Sequence, residues 1–215
     1  MVWRRLLAYF LVILGVTALL TVAGASIPGS LRLQEFPEIT DTHGTSEFSP
    51  IELLQLGILI ISGLLLAGVA RDSRSFRPLA LAVGGTSLIL LIRELDYFLD
   101  RYIVDNLWQA LIAVSGALLI AYLYRHQRRL KVALARAWPS PGLTLLYGGL
   151  VILVPFSILV GHEPLWASLM GNSYERVAKL AIEEFIELAG YFLWMAGSIE
   201  FVLEVRAFEA GRRAD

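Results

Sequence analysis

Glu183, Glu184 and Glu187 crowd into "AIEEFIELAGYF", and Glu94 stands in "LIRELDYFLD", each inside an otherwise apolar stretch. Carboxylates so placed can exchange protons, bind a cation or hold a divalent metal. Oxygen ligands alone suit Mg, Ca or Mn, and an imidazole from His162 or His43 would extend the range to Zn or Fe. The candidate metal set is therefore Glu94, Glu183, Glu184, Glu187 and His162. No HExxH is present, nor the paired Glu-x-x-His of four-helix carboxylate proteins. With no cysteine in the chain, thiolate sites and disulfides are excluded.

Helical phase sorts these side chains. At about 100° per residue, Arg93, Asp96 and Asp100 share one face as an ion-pair stripe, and Glu94 points roughly the other way, nearest Tyr97. Glu183, Glu184 and Glu187 fit within an arc of about 100° that includes Tyr191. An ionised carboxylate near the centre of a bilayer costs roughly 2.5 kcal/mol or more, so this face should meet protein, water or a cation. Crowded like charges favour a retained proton or a bound divalent ion. Glu94 is the first candidate proton acceptor and catalytic group, with Glu187 its metal or proton partner. Arg93, Asp96, Tyr97, Asp100 and Tyr191 are the expected ion-pair or supporting residues. Arg176 and Lys179 are near enough in sequence to pair with Glu183 or Glu184.

The elements that must hold these groups are apolar. Of the 215 residues 57% are hydrophobic and 17% charged, whereas a soluble domain is about a quarter charged. The solvent this composition fits is a bilayer. Six apolar segments, at residues 6–25, 53–70, 78–100, 107–124, 143–160 and 177–205, approach or exceed the roughly 20 residues that cross a ~30 Å core. The first also resembles a secretory signal peptide, with basic residues ahead of it and "AGA" at its end, but its apolar run is long for one.

Charge orients the segments. Thirteen of eighteen Lys and Arg residues fall before the first segment, between the second and third, between the fourth and fifth, or after the sixth. By the positive-inside rule these connections are cytoplasmic. The other side receives an outer loop, 26–52, carrying Glu35, Glu38, Asp41 and Glu47 among prolines and glycines, which could fold as a cap. Oppositely directed, the third and sixth segments bring Glu94, about 9 Å before Asp100, and Glu187, about 15 Å into its helix, to a similar depth on the outer side. His126 lies on the inner side, in the basic loop 125–141.

The expected fold is an all-α polytopic membrane protein. A single transmembrane domain, 1–215, forms a compact bundle of six helices with both termini cytoplasmic, in a bacterial or archaeal cytoplasmic membrane. Gly57, Gly63, Gly68, Gly84, Gly85, Gly190 and Gly197 are small residues suited to close helix packing. Pro155 should kink the fifth span. Trp3 and Trp138 fit the inner interface and Trp108 and Trp166 the outer one, while Trp194 lies deeper. The function expected is cation- or proton-dependent transport through the carboxylate cluster. A metal-assisted enzyme acting on a lipid or small polar substrate is the alternative, and a ligand-sensing or assembly protein is the third reading. Expected partners are membrane lipids, a cation or small polar ligand, and a second copy of the chain. Orientation accounts for the basic residues, so no nucleic acid is expected.

Overall fold

The computed structural model of the chain describes residues 2–27, 31 and 49–214. His43, the acidic residues Glu35, Glu38, Asp41 and Glu47, and the cap expected there lie outside the described residues. Among the described residues the protein is all α.

Helix α1 (Val2–Ser26) is apolar on every side and buries none of its residues against the rest of the protein. Helix α2 (Pro50–Asp72) begins at a capping box. Its first residue is proline, Ser49 Oγ accepts from the Glu52 N–H at 3.1 Å, and the Ser49 N–H donates to Glu52 Oε2 at 2.9 Å. Helix α3 (Arg77–Glu94) stops at Leu95, and α4 (Asp96–Tyr102) departs from it at 54°. The third apolar segment is thus broken at the residue after Glu94, not straight to Asp100. Asn106, at φ 62°, turns the chain into α5 (Leu107–Arg125); asparagine tolerates that left-handed conformation better than most residues.

The expected basic loop is mostly helix. In α6 (Gln127–Ala137), Leu130, Ala133 and Ala137 pack on the core while Arg128, Arg129, Lys131 and Arg136 are exposed. The fifth apolar segment runs from α7 (Pro141–Val151) through a π-helical turn, Ile152–Phe156, into α8 (Ser157–Gly161). Pro155 sits inside that turn. Proline has no N–H to donate and its ring crowds the preceding carbonyl, and a wider turn accommodates both. A short helix, α9 (Glu163–Met170), and a 3₁₀ turn, Gly171–Ser173, lead into α10 (Arg176–Ala214). At 39 residues α10 is about 58 Å long, well beyond a ~30 Å hydrocarbon core.

Helix α10 is the axis of the bundle. It packs on α7 and α2, α2 packs on α3, and α3 on α5. The α7–α10 seam depends on missing side chains: a Cβ at Gly142 would stand 2.7 Å from the Phe201 backbone nitrogen, and one at Gly197 would stand 2.7 Å from that of Leu146. In the core Leu59, Leu66, Leu153, Tyr191 and Phe201 are fully buried. The outside is as apolar as the inside, with Leu19, Leu118 and Ile120 each more than two-thirds exposed. Such a surface is a liability in water and a match for lipid. Among the described residues five helices are long and apolar enough to cross a membrane, or six if the bent pair α3–α4 is one span. This architecture is consistent with an integral membrane bundle.

Candidate functional site

Residues 187, 191 and 194 recur at helical spacing and put Glu187, Tyr191 and Trp194 on one face of α10. That face is turned toward α3. Trp194 Nε1 donates to Ser87 Oγ at 2.9 Å, and Tyr191 OH donates to Glu94 Oε1 at 2.5 Å. One turn further along, Arg93 Nη2 lies 2.6 Å from Glu187 Oε1 and 3.1 Å from Glu94 Oε1. The same Glu187 oxygen accepts from Ser157 Oγ, which follows the π-helical turn directly. One guanidinium nitrogen therefore serves two carboxylates from two helices, whose side chains are only 10% and 8% exposed.

The phase expected for Arg93 does not survive the break at Leu95. A stripe from Arg93 to Asp100 requires one continuous helix, and here α4 starts a new axis. Arg93 reaches across to α10, and Asp100 Oδ2 instead accepts from Trp108 Nε1 at 3.0 Å. Asp96 and Tyr97 sit half-buried in the first turn of α4, where Asp96 Oδ1 accepts from the Tyr97 N–H at 2.6 Å.

The remaining acids surround a cavity of about 500 Å³. Glu183 pairs with Lys179 at 2.7 Å, one turn before it. Glu184 Oε2 accepts from Gln55 Nε2 at 3.1 Å, and the same amide also reaches the Glu184 carbonyl. Glu52 and Asp96 line the wall from α2 and α4, and Glu163 from the start of α9. Among the described residues, seven carboxylates and three cations, Arg93, Arg176 and Lys179, face this space. His162 is exposed at the joint between α8 and α9 and is not part of the lining. Among the described residues no three His, Asp or Glu side chains are gathered in a metal-ligand arrangement.

Sequence reading missed several partners. Ser157 and Gln55 are ordinary polar residues in apolar helices, and only their burial, 3% and 0% exposed, marks them. It also missed a second polar centre in the later half of α10. Glu200, fully buried in "AGSIEFVLEV", takes Arg5 Nε at 2.7 Å, Arg5 Nη2 at 2.9 Å and Tyr9 OH at 2.8 Å. A signal was available, because an acid in so apolar a stretch calls for a partner at the same depth.

No protein-family model, curated protein or solved structure matches the chain. Its function therefore rests on the site's own geometry.

Proposed function

We propose that the chain is a six-span protein of the cytoplasmic membrane, with both ends inside, that binds a cation or proton in this cavity as part of a transport cycle. The observation that carries the reading is the shared guanidinium. Glu94 and Glu187 together bring two negative charges to one positive charge, Arg93. One net negative charge remains for a proton or an entering cation to neutralise. The other described lining residues add to the same sign, with five acids to two bases. A cavity of about 500 Å³ has room for a small organic cation as well as a hydrated ion. A cation that competes with Arg93 for either carboxylate would release the side-chain bridge from α3 to α10, and a contact that can be made and broken is what alternating access needs.

The test uses the full chain in sealed vesicles, measuring proton and monovalent- and divalent-cation flux across a range of pH, beside Glu94→Gln and Glu187→Gln. Flux is expected from the intact chain, falling roughly tenfold or more in each variant while both remain folded by size-exclusion chromatography. No flux at any pH, together with no metal in the purified protein, removes the transport reading. A stoichiometric metal without flux moves the site toward the metal-assisted enzyme.

A second reading has its own observation. Each of Glu94, Glu183, Glu184 and Glu187 has a side-chain partner within the protein. In a sensing or assembly protein that network would lock α3, α2 and α10 together and do no more. Its signature in the same experiment is loss of stability in both variants with no flux to lose.

A further inference from the structure

At the other end of the bundle lies a second concavity, about 960 Å³, whose chemistry is the reverse of the first. Six arginines line it: Arg74 from the α2–α3 turn, Arg77 from the start of α3, Arg128, Arg129 and Arg136 from α6, and Arg212 from the end of α10. Among the described residues its lining contains no acid. Two of the six are engaged, and only with neutral groups. Arg77 Nε donates to the Ala70 carbonyl at 2.7 Å, which satisfies the end of α2, and Arg212 Nη1 donates to Ser75 Oγ at 3.2 Å.

Orientation by the positive-inside rule accounts for basic residues in these connections, but a loop-by-loop charge bias has no need of convergence. Three stretches of chain, far apart in sequence, aim arginines into one hollow. Like charges gathered without a counter-charge repel, and low-dielectric walls deepen the potential. The walls are built. Tyr122 and His126 stack with ring centroids 4.3 Å apart, and α6 is seated by Ala133, which is fully buried. Pro78, Leu81 and Val132 add an apolar side.

We propose that this concavity binds a phosphate-bearing anion, with guanidinium forks on the phosphate oxygens and the apolar side against whatever the phosphate is attached to. Two sources share this chemistry, the headgroup of an anionic membrane lipid and a soluble phosphate compound. The site is independent of the acidic cavity and stands whatever that cavity does.

The test is native mass spectrometry of the full chain released from nonionic detergent. The probes are phosphatidylglycerol, phosphatidylcholine as the neutral comparison, and inorganic pyrophosphate. Two double variants separate a site from general basicity. Arg128→Gln with Arg129→Gln removes two lining charges; Arg125→Gln with Lys131→Gln removes two charges from the same connection that do not line the hollow. Saturable binding of one phosphate-bearing probe is expected, weakened roughly tenfold or more in the first double variant and nearly unchanged in the second. Arg74→Gln, on a separate turn, should weaken it as well. Preference for phosphatidylglycerol over phosphatidylcholine that pyrophosphate does not displace upholds the site with a lipid headgroup as its ligand. Saturable pyrophosphate binding without that preference upholds it with a soluble phosphate compound. Equal loss in the two double variants, or no saturable binding of either phosphate-bearing anion, overturns the proposal.

Discussion

Arg5 illustrates how one residue can carry two meanings. As part of a basic N-terminus it reads as an orienting charge; in the fold it is bidentate on Glu200, with Tyr9 on the same carboxylate. Because α1 buries no residue of its own, this polar contact is central to how α1 is attached. Glu200 is fully buried and Arg5 about one-third exposed. Arg5→Gln is therefore expected to cost on the order of 2 kcal/mol, less than a wholly buried pair would. Adding Glu200→Gln should return part of that loss, because the stranded carboxylate is then gone. Unfolding titrations in detergent on the four-member cycle measure this, and strictly additive losses would show that the pair is not coupled. At this scale Glu94, Glu183, Glu184 and Glu187 stood out as candidates, since carboxylates in apolar stretches announce themselves, whereas Glu52 and Glu163, which also line the cavity, did not. Their partners were not. Nothing in "VPFSILV" distinguishes Ser157 from a serine that bonds its own helix, and Arg93 could be assigned a partner only by assuming a helix that does not continue past Leu95.

The elements were legible in number and type more than in detail. Five of the six apolar segments became helices or near-continuous helical spans, and the remaining one, the third, became a bent pair. Two local events escape periodicity because they interrupt it. The break at Leu95 frees Arg93 to reach α10, and the π-helical turn ahead of Ser157 resets the phase of the side chains that follow. The glycines divide in the same way. Gly57, Gly63 and Gly68 of α2 would have open space at an added Cβ, whereas Gly142 and Gly197 would strike backbone across the α7–α10 seam. Gly197→Ala should therefore destabilise by about 1–3 kcal/mol through forced separation of α7 from α10. Gly57→Ala should be neutral or slightly stabilising, as alanine is the better helix former. Thermal unfolding of the two variants side by side checks the pair, and equal behaviour would mean the seam is not as tight as drawn.

Over the whole molecule the distribution of charge is the dominant fact. Acidic and basic concavities lie at opposite ends of the bundle, separated by apolar helices whose outer surfaces suit lipid. If the basic end is cytoplasmic, the acidic cavity opens outward, and the two proposed sites face different compartments. The chain contains no cysteine, so introduced ones report without background. A membrane-impermeant maleimide added to intact cells is expected to label Asp105→Cys and Asn172→Cys, both exposed near the acidic end. Ala135→Cys, exposed on α6, should label only after permeabilisation. The reverse pattern would invert the orientation, and labelling of all three in intact cells would remove the six-span arrangement.

What the sequence determined by itself was the apolar character of the long segments, their helical nature and the sign of charge in each connection. Those properties are local: hydropathy over about 20 residues measures the cost of leaving water, and charge in a connection measures the cost of crossing. Tertiary structure alone decided which carboxylates share Arg93, that Glu200 answers Arg5 from 195 residues away, and that six arginines face one hollow. Each of these depends on how far a helix is rotated about its own axis. That rotation is set by which surfaces pack, through seams such as Gly142 and Gly197, and composition along a single helix does not carry it.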